Sequence, residues 1–366
     1  MNQVTVEYFC ILFYNISMKV AIDCRMIGSG GIGSYISALL PFFINKNECI
    51  LLGDKKVLEK FKNNNVHIVE CNIKTFSVKE LFFFPKKILT QINNCDVYYT
   101  PYCNIPFGIN IPIYSTIHDV VFLDIKGLAS KTGTFIRKLF YKHAINKSKA
   151  IFTVSNFSSE QIKSNLKCKK PIIVTYNAVP NWFYEEETIL ETKENTVLFV
   201  GNIKKHKGLY ILIDAFIIAK NHGYKPKLLI VGNAENFRTS DESVFSLIKE
   251  APKNSIEFTG KISDEKLKQL YKTSKLLIQP SFYEGFGMPP LEAMSLGTNA
   301  LISDIPVFKE IYKDFPVTFF RTGDSIDLAE KLLQLEENNS YSVEYPQIYS
   351  FEKTFNIIQN TLETSL

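Results

Sequence analysis

The sequence lacks several features that would place it in other classes of protein. Its seven cysteines are odd in number and include no C-x-x-C pair, which argues for reduced thiols and against a disulfide framework or a zinc site. No run of about 18 apolar residues is present, so no transmembrane helix is predicted. Residues 1–17 contain an apolar patch but no basic start and no small-residue cleavage site, so they do not resemble a signal peptide.

What is present is typical of a globular protein with two domains. The 366 residues are too many for one typical core. A hydrophobic content of 46% with 22% charged residues is ordinary, and a net charge of +5 does not by itself indicate a nucleic-acid partner. We interpret residues 1–17 as an extension ahead of Met18, where the first convincing strand is about to begin.

Short apolar runs alternate with amphipathic segments along the chain. This alternation predicts parallel sheets that are covered by helices on both faces. One of the predicted helices runs without interruption from Val78 to Ile92. The periodicity stops between Thr175 and Asn195, which predicts a linker over 177–195. We therefore expect one Rossmann-like domain over 18–176, a second over 196–345, and a C-terminal amphipathic helix within 346–366.

The most informative stretch is Gln279–Asp304, with the sequence QPSFYEGFGMPPLEAMSLGTNALISD. It predicts the end of a buried strand, an acidic glycine-rich turn, a helix and a further strand. Glu284 lies in the turn, and Glu292 lies about one turn inside the helix. Three backbone N–H groups lie between them, at the helix N-terminus: Gly285, Phe286 and Gly287. Backbone donors beside two carboxylates suit a ligand that carries both hydroxyls and an anionic group, such as a sugar nucleotide.

Two other turns precede predicted helices. Gly28–Gly33 matches G-x-G-x-x-G after a strand, with Asp54 following 21 residues after its last glycine, as in the dinucleotide fingerprint of Rossmann oxidoreductases. The three residues between the strand and the first glycine make that spacing long. The second turn, Gly201–Gly208, follows a buried strand and carries Lys207 just before a helix, where a lysine stabilises negative charge.

Together these motifs resemble the retaining glycosyltransferases of family 4. The spacing from Glu284 to Glu292 is similar to the E-x7-E motif of that family, and Gly201–Gly208 is similar to its basic G-x5-K-G loop. The resemblance covers nearly the whole chain from Lys19. It implies the GT-B fold, in which two Rossmann-like doubly wound domains face each other across a cleft and the C-terminal helix crosses back to the first domain.

The resemblance also implies an activity and the residues that carry it. The expected reaction moves a hexosyl unit from a nucleotide-sugar to a glycan or lipid-linked glycan of a bacterial envelope polysaccharide, such as lipopolysaccharide. Glu284 is expected to hold the donor sugar hydroxyls, Glu292 the ribose hydroxyls and Lys207 the diphosphate. His118 is expected to contact the donor sugar near the reacting carbon. The rest of the expected donor-binding set is Gly30, Gly31, Gly201, Asn202, His206, Gly260, Lys261, Ile262, Gly285, Phe286 and Gly287.

The same resemblance bears on metal, cofactor and donor. The sequence has no D-x-D motif, and the resemblance implies a metal-independent site without a cofactor, in which Lys207 and helix N-termini stabilise the leaving diphosphate. Many family members have Arg where Asn202 and His206 stand, so one positive charge is either missing here or supplied by protonated His206. The string from Asn202 to Lys207 is similar to that of bacterial mannosyl-type transferases, which favours GDP-mannose, with UDP-sugars as the alternative.

Other functions stay open at this point. A nucleotide-sugar epimerase or a phosphorylase would share the fold. An NAD(P)-dependent oxidoreductase would use Gly28–Gly33, and a catalytically silent sugar-binding module would keep the cleft without the reaction.

The stretch from Ile125 to Ser159 has no acidic residue and carries six Lys or Arg between Lys131 and Lys149. Apolar residues recur there at helical spacing, from Phe135 to Ala144. The helix either has a solvated basic face above a core stripe, or contacts an anionic membrane surface and helps to collect a lipid-linked acceptor. We expect a cytoplasmic protein, peripheral at the inner face of the membrane.

Overall fold

The computed structural model describes residues 18–183, 192–232, 242–338 and 345–364. The predicted extension over 1–17 and part of the predicted linker, 184–191, lie outside these ranges. Among the described helices, none is both long enough and apolar enough to cross a membrane.

The first domain is built on a parallel sheet of seven strands in the order β3-β2-β1-β4-β5-β6-β7. Its elements are β1 (Lys19–Asp23), α1 (Gly30–Lys46), β2 (Glu48–Gly53), α2 (Lys55–Leu58), β3 (Val66–Glu70), α3 (Val78–Phe82), α4 (Lys86–Asn93), β4 (Val97–Thr100), β5 (Ile113–Thr116), α5 (Val121–Asp124), α6 (Lys131–Lys147), β6 (Ala150–Thr153), α7 (Asn156–Leu166) and β7 (Ile172–Val174). Buried clusters of apolar side chains cover both faces of the sheet.

The second domain is built on a parallel sheet of six strands in the order β10-β9-β8-β11-β12-β13. Its elements are β8 (Thr196–Val200), α8 (Leu209–Asn221), β9 (Lys227–Val231), α9 (Glu242–Glu250), β10 (Ile256–Gly260), α10 (Asp264–Thr273), β11 (Leu276–Gln279), α11 (Met288–Ser295), β12 (Asn299–Ser303), α12 (Pro306–Ile311), β13 (Thr318–Phe320) and α13 (Ser325–Glu337), followed by the last helix, α14 (Phe351–Glu363).

The predicted pair of doubly wound parallel sheets is confirmed. In each sheet the strand order reverses beside the first strand of the domain, between β1 and β4 and between β8 and β11. Ligands of open α/β sheets bind at the carboxyl ends of the strands near such a switch point. The fold therefore directs attention to the turns after β1, β5, β8 and β11.

The last helix packs on the first domain. Its Phe355 ring lies with its centroid 5.8 Å from that of Phe42 and 5.1 Å from that of Phe43, both on α1. The side-chain amides of Asn47 and Gln359 exchange two hydrogen bonds of 2.9 and 3.0 Å. Apolar contact and a buried amide pair thus hold the chain terminus on α1.

The structure corrects two local predictions. The helix predicted from Val78 to Ile92 is two helices, because α3 ends at Phe82 and α4 begins after Pro85; a proline lacks the N–H and disfavours helical geometry in the residue before it. The core stripe considered for α6 is also wrong in part. Phe135, Ile136 and Leu139 are exposed, and the buried side chains of α6 are Tyr141, Ala144 and Ile145.

Candidate active site

A cleft of about 710 Å³ lies between the two domains. The first domain lines it with the start of α1, including Gly30 and Gly31, and with His118 after β5. The second domain lines it with the turn after β8, including Asn202, His206 and Lys207. These six are residues of the donor-binding or catalytic set predicted from the sequence.

A buried ion pair at this cleft joins Lys207 to Glu284. The Nζ of Lys207 lies 2.7 Å from each carboxylate oxygen of Glu284. The Oε1 of Glu284 also accepts hydrogen bonds from Ser281 Oγ at 2.7 Å and from Gln279 Nε2 at 3.3 Å. Both members of the ion pair are largely buried, with side chains 21% and 9% exposed. Two residues 77 apart in sequence therefore form one preorganised charge pair.

Close backbone approach fixes the position of Lys207. Gly208 precedes α8 with φ of +68°, and a Cβ there would lie 1.9 Å from the carbonyl oxygen of Pro280. The backbone N–H of Phe282 donates to the carbonyl of His206 at 2.8 Å. Glycine is required at 208 because the turn after β8 and the strand end after β11 touch at this point.

The turn that carries Glu284 is also fastened to the first domain. The carbonyl of Gly285 accepts hydrogen bonds from Ser155 Oγ at 2.7 Å and from Ser158 Oγ at 3.2 Å. A Cβ at Gly285 would lie 2.8 Å from the carbonyl oxygen of His118. The acidic turn therefore packs directly against the turn that presents His118.

A second interdomain contact lies at the start of α7. The carboxylate of Glu310, on α12 of the second domain, accepts hydrogen bonds from the backbone N–H of Asn156 at 2.7 Å and of Phe157 at 2.8 Å. These N–H groups are in the first turn of α7, where no partner exists within the helix. The hydroxyl of Tyr283 adds a third contact, donating to Asp124 Oδ2 at 2.6 Å.

His118 is a neutral, oriented imidazole. Its Nε2–H donates to the carbonyl of Pro101 at 2.9 Å, and its ring meets the edge of Tyr35 with centroids 4.9 Å apart. Since a carbonyl can only accept, Nε2 carries the proton and Nδ1 is the acceptor. Burial lowers the pKa of His118 to about 4.

This pKa predicts how stability changes with pH. Between pH 6.5 and 4 the unfolded chain binds a proton at His118 that the folded chain does not bind, so stability is lost as pH falls through this window. From pH 7 to pH 5 the wild type should lose about 1–2 kcal/mol more unfolding free energy than His118→Gln, which does not titrate. Denaturant unfolding of both proteins at the two pH values measures the difference. Equal losses would contradict the lowered pKa.

His206 is neutral in the protein without ligand. It is buried, and its Nδ1 has no hydrogen-bond partner. Burial and the nearby charge of Lys207 lower its pKa to about 4. The lowered pKa favours the neutral form of His206 when no ligand is bound, and the replacement of an arginine by protonated His206 stays a prediction for the liganded site.

Glu292 contacts α10. It accepts a hydrogen bond from the hydroxyl of Tyr271 at 2.8 Å, and burial raises its pKa to about 7. Asp264 nearby contributes to that rise. Asp264 and Lys261 line a second cleft of about 1000 Å³, and Gly30 lines both clefts. The two clefts therefore meet at the start of α1.

The other predicted donor-binding residues occupy varied places. Gly201 follows β8 and donates its N–H to the carbonyl of Val231 at 3.0 Å. Ile262 packs against the core of the second domain, after Gly260, which has φ of +70°. The Phe286 ring is buried 5.5 Å from that of Tyr349, so its backbone alone can serve a ligand. Gly287 precedes α11 with φ of +89° and lies against the Phe308 ring.

The structure also adds residues that the sequence analysis missed. Arg137 on α6 places its guanidinium 4.2 Å from the centroid of Phe122, and Lys204 places its Nζ 5.7 Å from the same ring. All three line the first cleft, so Arg137, which is exposed, is part of the cleft wall. Ser281 and Ser155 are further additions. Ser281 lay inside the quoted motif, but nothing in the sequence linked Ser155 or Arg137 to the site.

One hydrogen bond argues against the NAD(P)-dependent oxidoreductase that was left open above. The fingerprint requires an acid that is free to bind a ribose, but Asp54 starts α2 and accepts a hydrogen bond from the backbone N–H of Lys56 at 2.8 Å. Within the described ranges, no group of three or more His, Cys, Asp or Glu side chains is arranged to hold a metal ion.

Comparison with known proteins identifies the fold class of this architecture. Anabaena HepE, solved in complex with UDP and glucose, superposes with a TM-score of 0.71 at 18% identity, over 95% of this chain and 100% of that one. Two parallel α/β domains with a cleft between them define the GT-B glycosyltransferase fold. Residues 180–349 match the family model described as Glycosyl transferases group 1. The chain carries a group 1 glycosyl transferase domain.

Curated relatives agree with this family. The O-antigen chain mannosyltransferase RfbU of Salmonella typhimurium is 28% identical over 236 residues, 63% of this chain and 62% of that protein. The capsular polysaccharide biosynthesis glycosyltransferase CapM of Staphylococcus aureus is 25% identical over 321 residues, 81% of this chain and 82% of that protein. RfbU and two further relatives are matched over 54% to 62% of their own length.

Proposed function

We propose that the protein is a retaining hexosyltransferase, which moves a sugar from a nucleotide-sugar to a glycan or lipid-linked glycan in envelope polysaccharide synthesis. The observation that carries the proposal is the buried pair of Lys207 and Glu284 beside His118, at the point where the two domains touch. The pair places a positive charge for a leaving diphosphate next to a carboxylate for the donor sugar and its cationic transition state.

The two adjoining clefts support the donor class. A nucleotide-sugar would place its base and ribose beside Lys261 and Glu292, its diphosphate beside Gly30 and Lys207, and its sugar beside His118. Lys207 and the N-terminus of α8 would stabilise the developing charge, so we propose a metal-independent reaction without a cofactor. We prefer GDP-mannose because RfbU is named a mannosyltransferase; HepE was solved with UDP and glucose, so UDP-sugars are tested beside it.

The test is a screen of nucleotide-sugars by thermal shift and by hydrolysis without acceptor. A donor at 100-fold its dissociation constant should stabilise the protein by about 2.7 kcal/mol. Retention is checked from the anomeric configuration of the glycoside that forms. Binding of NAD(H) in place of every nucleoside diphosphate would contradict the proposal.

We further propose that the protein works in the cytoplasm at an anionic membrane surface. Exposed apolar side chains on and beside α3 and α6 are grouped here as the apolar rim: Val78, Phe82, Phe83, Phe107, Phe135, Ile136 and Leu139. Phe107 joins the two helices, with its ring 5.1 Å from that of Phe82 and 4.5 Å from that of His143. Four lysines are on the same helix as Phe135, Ile136 and Leu139, and basic residues beside exposed apolar ones are typical of surfaces that bind anionic lipid.

Vesicle binding tests the apolar rim. We expect the wild type to sediment with vesicles that contain phosphatidylglycerol, and Phe135→Ser with Leu139→Ser to weaken this binding by about 10- to 100-fold, because two large apolar side chains no longer enter the lipid. The matched control is Ile326→Ser, since Ile326 on α13 is 61% exposed in the other domain. Equal binding by all three proteins would refute membrane contact through α6.

A further inference from the structure

The backbone at Phe76 is in an unusual conformation. Its φ is +57°, a left-handed value that is rare for bulky residues because the Cβ crowds the backbone. Its side chain is 49% exposed and lines the first cleft. Strained residues with exposed side chains are concentrated at binding and catalytic sites. Two questions follow: what stabilises this backbone conformation, and what the exposed ring of Phe76 binds.

The cause is a buried charge network beneath the residue. The backbone N–H of Phe76 donates to Glu80 Oε2 at 2.8 Å. The other oxygen of Glu80 accepts from Arg25 Nη2 at 2.6 Å and from the hydroxyl of Tyr102 at 2.7 Å. Arg25 also binds Asp23, at the carboxyl end of β1. Because Glu80 and Asp23 are fully buried, the network ties Phe76 rigidly to the central strand.

The ring of Phe76 lies on the first-domain side of the cleft, and the lysines proposed to hold the diphosphate line it from the second domain. The cationic side chains that line the cleft from the second domain are Lys204 and Lys207, and the proposed function assigns this wall to the diphosphate. The wall from the first domain carries several aromatic side chains, beside Gly30, Gly31 and His118 of the expected donor set. Phe76 lies there with its ring centroid 5.4 Å from that of Tyr102, and Phe140 and Tyr141 line the same wall.

We propose that the ring of Phe76 is the platform on which the acceptor sugar stacks, so that this residue sets acceptor specificity. The inference rests on the proposed function and deepens it. One face of a hexopyranose presents C–H groups that pack on an aromatic ring, while its hydroxyls stay available for hydrogen bonds and for reaction. A ring held by a strained, anchored backbone loses little conformational freedom when the sugar binds.

The test compares Phe76→Ala with Phe82→Ala. Phe82 is 62% exposed on the adjacent helix and does not line the cleft. The acceptor probes are octyl α- and β-glycosides of mannose, glucose and galactose, used with the nucleotide-sugar that the wild type hydrolyses. We expect Phe76→Ala to raise KM for the best octyl glycoside about tenfold, with hydrolysis of the donor unchanged. Phe76→Trp should restore KM, and Phe82→Ala should match the wild type.

Three results would overturn the inference. These are an unchanged acceptor KM in Phe76→Ala, an equal loss of donor hydrolysis and transfer in that variant, and a wild type that hydrolyses a donor but transfers to no octyl hexoside. A different result, in which the wild type neither binds nor hydrolyses any nucleotide-sugar, would refute the proposed function itself. The inference about Phe76 would then be refuted with it.

Discussion

Replacing Lys207 with alanine should lower the turnover number by about 10²- to 10³-fold, the usual loss for one preorganised charge stabiliser. Lys207 is the cation that meets Glu284 at the base of the cleft. In the variant, the negative charge on the departing diphosphate would lose this partner. Steady-state transfer, or donor hydrolysis if no acceptor is known, measures the effect.

The chain offers a matched control for this change. Lys205 is an exposed lysine two residues earlier in the same turn, and it does not line the cleft, so Lys205→Ala should retain wild-type turnover. Removing Lys207 also leaves the carboxylate of Glu284 largely buried without its ion pair, which destabilises proteins. The double change Lys207→Ala with Glu284→Gln should relieve that cost and stay inactive. Wild-type turnover in Lys207→Ala would contradict the assigned role.

Replacing Glu284 with glutamine should also reduce turnover by about 10²- to 10³-fold, while a nucleoside diphosphate still binds. The amide keeps the shape of the side chain and can still accept from Ser281, but it lacks the charge that favours a cationic transition state. It also no longer attracts the Nζ of Lys207. Kinetics together with calorimetric binding of GDP and UDP separate the two effects.

Glu292→Gln is the contrasting variant. Glu292 contacts Tyr271 and is near Asp264, which lines the second cleft, and the proposed function assigns the ribose to this carboxylate. Its replacement should raise the KM for the donor with a smaller effect on turnover. If Glu284→Gln and Glu292→Gln changed the same kinetic constant to the same degree, the distinct roles assigned to the two carboxylates would be wrong.

The sequence predicted those parts of the site that lie within short motifs. The turn at Glu284 and the turn at Lys207 each follow a buried strand, and strands β8 and β11 are neighbours, so their carboxyl ends meet. The ion-pair network that holds the backbone of Phe76 could not be predicted from short motifs. Arg25 and Glu80 are 55 residues apart, and no periodic pattern records an ion pair between distant segments.

Exposure was predicted less well than secondary structure. The apolar residues of α6 have helical spacing whether they face the core or solvent, so spacing alone could not show that Phe135 and Leu139 are exposed. The break at Pro85, in contrast, was available from the sequence, since proline disfavours helix at the residue before it. The error in the predicted exposure of α6 arises from tertiary packing, which decides which face of a helix is covered.

The carboxylate of Glu310 has a consequence for how the domains can move. It belongs to one domain and completes the first turn of a helix in the other, so a hinge motion that parted the domains there would leave two peptide N–H groups to be hydrated. We therefore expect the pivot of any opening and closing to lie at this contact. Substrates would then enter and products leave while α7 and α12 stay together.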